Sequence, residues 1–292
     1  MDNTIRNHKT VHNRKNLVIK LLAALLACSL VAHIWLADRR VPVSPALGYE
    51  INQPAPWKNA QQPYLRVATY NIHHGKGTDG TTDLNRTALA LHDADIIALN
   101  EVAGPSLFSS SDQAQKLGRL LKTGWLFAPN QRRWYHDYFG NGLLSRYKVT
   151  RWYREQLVYD SYKSDSHRNL LTAQLSFAGR DIAVLVTHLD RGSIRDEQLR
   201  YVLDKFRHYP FAILLGDLNT SSSDGQLVEL LGDPNNVDAI AVLLGQADQE
   251  GRIDWIITRG FKVVTGGIYP VGVSDHPCYW VELQPAAVGQ PR

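Results

Sequence analysis

The chain has 292 residues, 44% of them hydrophobic, enough to bury a sizeable core in one domain. Its net charge of +4 is unevenly placed: residues 1–40 carry seven Lys or Arg against Asp2 and Asp38, leaving 25 basic and 26 acidic residues in 41–292. A near-neutral body argues against a nucleic-acid binder, whose domain ordinarily carries the basic footprint itself. The two cysteines, Cys28 and Cys278, exclude a cysteine metal framework and argue against an intramolecular disulfide.

Residues 1–16 form a basic N-terminus, and 17–37 read as a transmembrane anchor. From Leu21 to Ala37 only His33 is acidic or basic. With Leu17-Val18-Ile19 in front, the run is about 20 residues, enough to cross a bilayer core. Lys20 sits near one end, where its ammonium can snorkel. Five basic residues up to Lys20 and two just after the run (Arg39, Arg40) put the N-terminus in the cytoplasm and the remainder outside by the positive-inside rule, as in a bacterial inner membrane with a periplasmic domain. A cleaved signal peptide has a similar pattern, and Leu25-Leu26-Ala27-Cys28 is similar to a lipoprotein cleavage box. The apolar run continues to Leu36, which favours an uncleaved anchor.

Residues 38–63 contain Pro42, Pro45, Pro54, Pro56 and Pro63, a density that reads as an extended linker. The globular domain is expected over 64–286, with a tail at 287–292. Alternation predicts a strand over Leu65–Ile72. Asp83 caps a helix over Leu84–His92, and Asp112 a second through Leu121. Asp95–Glu101 is a short apolar run with polar ends. Strands follow near 124–128, 142–158, 169–177 and 181–187, then a helix over 195–207 and a strand over 211–215. The last strands are expected at 253–258, 261–268 and 278–283. Strands outnumber helices, and helices fall between strands in both halves, which favours packed sheets with helices outside.

Polar groups recur where these apolar runs end: Asn71, Glu101, His188, and Asp217 with Asn219. Asp254 lies near the start of a run, and Asp275-His276 precede the last one. Singly, each has a structural reading as a turn residue, cap or core hydrogen-bond partner. Together they suit phosphate chemistry. Mg²⁺ takes carboxylate and amide oxygens, which Glu101 and Asn71 offer. An Asp–His pair can orient a proton-transfer group. Asn219 and His188 are donors suited to a phosphate oxygen.

The ordered set Thr69-Tyr-Asn71-Ile, Leu99-Asn-Glu101-Val, Gly142-Leu-Leu-Ser145-Arg, Thr187-His188-Leu, Gly216-Asp217-Leu-Asn219, Ile253-Asp254-Trp-Ile and Ser274-Asp275-His276 resembles the endonuclease/exonuclease/phosphatase (DNase I-like) superfamily, over about Leu65 to Glu282. The resemblance implies an α/β (α+β) fold: a four-layer α/β sandwich of two packed mixed sheets flanked by helices, here preceded by one N-terminal transmembrane helix. It also implies Mg²⁺-dependent phosphoester hydrolysis, with Mn²⁺ as an alternative ion. Glu101 with Asn71 would hold the metal, with Asp275 close by or supporting. Asp217 would orient or deprotonate water, and Asn219 would position it. His276, oriented by Asp254, and His188 would contact the scissile phosphate. Arg168 and Asn141 would bind substrate.

Two positions depart from many relatives. Asn100 stands where a glutamine often precedes the metal-binding glutamate, and His167-Arg168 stands where an acidic residue often precedes the arginine. His73-His74-Gly75 either lines the cleft or lies on a loop surface. The basic-aromatic stretches Gln131–His136 and Arg151–Arg154 suit stacking on bases, a strand face or a membrane-facing rim. The sequence thus predicts a phosphoesterase whose anchor favours a lipid head group, an inositol phosphate or another extracytoplasmic phosphoester. The alternatives are a DNase-like or abasic-site nuclease acting on nucleic acid, and a non-catalytic module that binds a phosphorylated ligand.

Overall fold

A computed structural model of the chain describes residues 2–38, 40–53, 55–106, 109–133, 136–160, 167–245 and 251–286. The N-terminal helix α1 (Asp2–Asp38) belongs to a unit separate from the body and is described by itself. It contains a 23-residue apolar stretch, Arg14–Leu36, whose residues are exposed. At 1.5 Å rise per residue such a stretch spans roughly 35 Å, enough to cross a bilayer core.

The body contains two seven-stranded sheets. The first is ordered β1 (Arg40–Pro42), β5 (Gly124–Arg133), β6 (His136–Ser145), β4 (Ile96–Ala103), β3 (Leu65–Asn71), β14 (Cys278–Pro285), β13 (Phe261–Tyr269). The second is ordered β11 (Asn236–Asp238), β12 (Asp254–Arg259), β10 (Ala212–Asp217), β9 (Arg180–His188), β8 (Asn169–Phe177), β7 (Val149–Gln156), β2 (Ala46–Gly48). β3 and β4 run parallel, as do β9 and β10, beside antiparallel neighbours, so both sheets are mixed. Their inner faces enclose one core that includes Val67, Ile96, Leu143, Val184, Leu215, Ile256 and Val281.

The two outer layers are helical. Over the first sheet lie α2 (Leu84–Leu91) and α3 (Gln113–Leu121), which bury Ala88, Leu91, Leu117 and Leu121 with Leu99 and Leu144. Asp83 and Asp112 cap these helices through their first-turn N–H groups. Over the second sheet lie α4 (Arg195–Arg207) and α5 (Gly225–Leu231), packing Leu199, Val202, Leu203, Phe206 and Leu227 on Leu185 and Leu214. α6 (Ala239–Leu244) adds Ile240 to the central core. The result is the four-layer sandwich that the motifs imply.

Regular structure begins before Tyr64. The stretch read as an extended linker contains β1 and β2, and Ala46–Gly48 pairs with Arg154–Trp152 of β7. Prolines fit there because both strands are sheet edges, where a missing N–H costs no ladder bond. This stretch also covers the basic-aromatic Arg151–Arg154 run: Trp152 donates to Glu50 O, and Arg154 to Ser44 O. Those side chains pack on their own chain rather than forming a stacking platform. Of the second run, Trp134 and Tyr135 lie outside the described residues. The strand expected over 142–158 is two strands, β6 and β7. Arg146 breaks them, donating to the carbonyls of Ala94, Leu121 and His92. The tail beyond Ala286 lies outside the described residues.

Candidate functional site

Strand register gathers the site. Asp217, the last residue of β10, stands opposite His188 of β9 on one side and Asp254 of β12 on the other. In the facing sheet, Asn71 pairs with Asn100 at the ends of β3 and β4. A bulge between Leu99 and Val102 interrupts β4, and within it Glu101 adopts φ 56°. Such a conformation is uncommon outside glycine and is stored where function needs it. Here it turns the Glu101 carboxylate toward Asn71.

Asn100 ties the two sheets. Its Oδ1 accepts from Asp217 N at 2.9 Å, while its Nδ2 donates to Thr187 O at 3.0 Å and to Asn141 Oδ1 at 2.8 Å. Asn141 in turn donates to Asn169 Oδ1 at 3.0 Å, and Asn169 donates to the Ala128 and Pro129 carbonyls. Asn141 is fully buried. This corrects its expected role: it holds Asn100 in place rather than facing a substrate. Gly216 permits the close approach of β10 to β9, because a Cβ there would lie 1.9 Å from Thr187 O, at φ 139°. Asn100→Ala is expected to destabilise the chain by about 1–3 kcal/mol, since it orphans buried partners on both sheets. A lowered urea midpoint at unchanged m-value checks this; an unchanged midpoint contradicts it.

The remaining expected residues converge on one cluster at the strand ends, buried at Asn71, Asp217, His188 and Asp254. Asn71 Nδ2 lies 3.2 Å from Glu101 Oε1, 3.2 Å from Asp217 Oδ2 and 3.4 Å from His276 Nε2. Its own Oδ1 accepts from His73 N, so in this arrangement the amide orients the carboxylates. Asp254 Oδ2 is 2.7 Å from His276 Nδ1, and Asp217 Oδ2 is 3.9 Å from His276 Nε2 and 3.5 Å from His188 Nε2. Asp217 Oδ1 accepts from Asn219 N at 3.0 Å. Asn219 is clamped in turn: its Nδ2 donates to Leu189 O and its Oδ1 accepts from Arg191 Nε. Asp275 sits half-exposed at the rim, where Ser274 Oγ reaches both it and Asn71 O. The Arg168 guanidinium lies 5.9 Å from the Phe139 ring, which lies 6.3 Å from the His188 ring.

Electrostatics separate these groups. Burial, then the charge of Asp254, raise the Asp217 carboxyl to about 7, against the pull of His276 and two hydrogen bonds. Burial disfavours the charged form of His276, but the Asp254 hydrogen bond and the surrounding carboxylates outweigh it and raise the imidazole to about 9. Burial, with the nearby Arg168, His276 and Arg191 charges, pushes His188 well below its ordinary value, so it is neutral. Both of its ring nitrogens lack a hydrogen-bond partner among the described residues, as does Arg168 Nε. Buried, unsatisfied donors at a cleft are suited to ligand oxygens.

Ligand atoms of Asp217, Asp254 and His276 lie within 4.8 Å of one another, a spacing able to hold a metal ion. The 2.7 Å bond between Asp254 and His276 favours a proton there instead, since an ion would have to break it. Glu101 offers a freer donor: its Oε1 is held by Asn71, while Oε2 has His74 Nε2 at 3.9 Å and no hydrogen bond among the described residues. A fixed carboxylate with one uncommitted oxygen fits a hard divalent cation. His73 and His74, which the sequence left between cleft and surface, are partly exposed and lie 3.5 Å from Asp275 Oδ1 and 3.9 Å from Glu101 Oε2, respectively. The sequence reading named Asn100 without its role of tying the sheets, and missed Asn169 and Arg191. The signal for Asn100 was a buried amide ending the apolar run Ile96–Leu99.

A sandwich of two mixed sheets with carboxylates, amides and imidazoles at one set of strand ends is the architecture of metal-assisted phosphoester hydrolases. A sequence profile of the endonuclease/exonuclease/phosphatase family matches residues 68–276, and the chain belongs to that family. Its members are typically metal-dependent hydrolases of phosphoester bonds. The fold is similar to an endonuclease/exonuclease/phosphatase from Beutenbergia cavernae (25% identity, TM-score 0.63, covering 77% of this chain and 72% of that one). It is similar also to one from Bacteroides vulgatus (18%, TM-score 0.60, 77% and 100%) and to D. rerio TDP2 complexed with single strand DNA product (19%, TM-score 0.57, 76% and 100%). Comparison of the sequence with curated proteins finds no match.

Proposed function

We propose that the protein is a membrane-anchored, divalent-metal-dependent phosphoesterase whose catalytic body lies outside the cytoplasm. The observation that carries the reading is the convergence of Asp217, the Asp254–His276 pair, His188 and the Asn71–Glu101 pair at one cleft. Asp217, with its raised pKa, accepts a proton from water as the water oxygen bonds to phosphorus and the opposite P–O ester bond breaks, the leaving oxygen departing as an alkoxide that takes its proton from solvent. Asn219 fixes Asp217 through its N–H and keeps one amide N–H to position the water. His276 is cationic at neutral pH and donates from Nε2 to a phosphoryl oxygen, with Asp254 fixing its tautomer. Neutral His188 and the Arg168 cation donate to the remaining charge.

Glu101, steadied by Asn71 and supported by Asp275, would hold the cation. A bound Mg²⁺ or Mn²⁺ supplies charge neutralisation at the phosphoryl oxygens. Helix α1 supports a single-pass anchor with the basic N-terminus cytoplasmic. A tethered cleft on a near-neutral body suits a phosphoester at the bilayer, such as a lipid head group, better than a nucleic acid.

The test is the full chain in detergent micelles, incubated with sphingomyelin, phosphoinositides, plasmid DNA and small phosphoesters, with Mg²⁺ or with EDTA. Chelation is expected to abolish turnover of a lipid phosphoester. Nicking of plasmid in preference to any lipid overturns the substrate assignment, and turnover that survives EDTA overturns the metal requirement.

A further inference from the structure

Arg191 follows the end of β9 and is exposed, yet the loop that carries it is fixed. Leu189 N donates to Asp217 O, Asp190 N to Oε1 of the buried Gln198, and Arg191 N to Asp190 Oδ1. The Arg191 Nε–H donates to Asn219 Oδ1 at 3.2 Å, and Asn219 N donates to Asp217 Oδ1 at 3.0 Å. Asp217 Oδ2 in turn lies 3.5 Å from His188 Nε2 and 3.9 Å from His276 Nε2. Asn219 and Asp217 thus join Arg191 to the cluster by an unbroken series of contacts.

Only Nε of the guanidinium is committed. Its two terminal amino groups bond nothing among the described residues, and no carboxylate there pairs with it. Arg195, in the next turn of chain, differs: it pairs with Asp196 and Asp224. The Arg191 charge reaches both His188 and Arg168, where it disfavours further positive charge. Arg168 likewise pairs with no carboxylate among the described residues, and its Nε is buried without a partner. Two guanidinium groups held within reach of each other and of His276 repel, and a bound anion relieves that repulsion.

We infer that Arg191 forms a second anion subsite beside the scissile position, so that the preferred substrate is a phosphoester carrying a second phosphate. The inference rests on the phosphoesterase reading for the first phosphate, but not for the binding of the second. His276, His188 and Arg168 serve the scissile phosphoryl group, which leaves Arg191 for the other. A planar fork of free N–H groups takes two phosphate oxygens at once, which a lysine ammonium does not. The bonded loop already holds the cation in place, so little ordering is lost on binding.

The test uses the full chain in detergent with EDTA and measures calorimetric binding of inorganic phosphate, pyrophosphate and an inositol bisphosphate. Wild type is expected to bind one of the two doubly phosphorylated probes about tenfold or more tightly than phosphate, the scale of a charge-assisted pair. Pyrophosphate as the tighter probe indicates adjoining phosphates, and the bisphosphate indicates separated ones. Arg191→Gln is expected to remove the preference and leave phosphate affinity nearly unchanged. Arg191→Lys, which keeps the charge and loses the fork, is expected to fall between. No preference in wild type, a preference retained in Arg191→Gln, or an equal loss for all three probes overturns the subsite; equal loss means that Arg191 serves only to hold Asn219. Turnover of singly phosphorylated esters without any preference leaves the phosphoesterase reading standing, whereas preference without turnover removes that reading and keeps the subsite.

Discussion

Asp217→Asn is expected to lower kcat by roughly 10²–10⁴, the scale on which a positioned base contributes, while leaving the fold intact. The carboxylate sits where both sheets contribute: its backbone N–H bonds Asn100, its Oδ1 bonds Asn219 N, and its Oδ2 faces Asn71, His188 and His276. The amide retains the shape and can keep its oxygen toward Asn219. What it loses is basicity. Full burial beside Asp254 makes the ionised form of Asp217 costly, which is why its pKa rises to about 7. The same burial means that neutralising the side chain removes a strained charge, so thermal stability is expected to hold or rise. Turnover of the purified variant against the best substrate of the lipid and DNA panel measures this, with unfolding followed in parallel. A variant that is folded and retains near-wild-type kcat removes Asp217 from the chemistry.

Much of this fold was legible because periodicity and capping follow local rules. The strand over 169–177 and the helix over 195–207 occur at the expected residues, and Asp83 and Asp112 cap the helices that they announced. The segment between Asp224 and Leu244 was not legible. It contains α5, β11 and α6, pieces of seven, three and six residues, too short to display a period. Their caps, Asp224 and Asp238, were present in the sequence but drew no helix expectation. β1 and β2 were hidden by prolines that only an edge strand accommodates. At the site, residue types at strand ends told which groups meet, because register carries Asp217 to His188 and Asp254. Contacts between the sheets were not accessible that way. Asn141 reads as a candidate ligand in sequence and Asn169 drew no expectation, yet both serve Asn100, 41 and 69 positions from it in the chain, through a buried amide relay. The conformations at Glu101, His73 and His74 were hidden as well, since a positive φ at a non-glycine residue leaves no mark on residue type.

His276→Ala is expected to cost a comparable factor, roughly 10²–10⁴ in kcat, and Asp254→Asn a smaller one, because the second change keeps the ring and removes only its partner. The 2.7 Å contact to Asp254 sustains the imidazolium against burial, which favours the neutral ring. Replacing Asp254 by Asn therefore lowers the His276 pKa from about 9 and releases its tautomer. The pH profile of kcat/KM separates the roles. In wild type, activity is expected to rise with pH as Asp217, raised to about 7, gives up its proton, and to fall as His276, raised to about 9, loses the charge proposed to bind the phosphoryl oxygen. The two limbs belong to the coupled pair rather than to either residue alone. A cation at Glu101 moves both toward lower pH, since positive charge favours the deprotonated forms. In Asp254→Asn the descending limb is expected to shift to lower pH while the ascending limb moves down by less, narrowing the bell. Asp254 raises Asp217 by charge repulsion alone, whereas it holds His276 by both charge and hydrogen bond. A profile whose descending limb stays fixed in Asp254→Asn means that the imidazolium of His276 is not the acid whose loss ends activity, and the phosphoryl contact must then pass to Arg168 or His188.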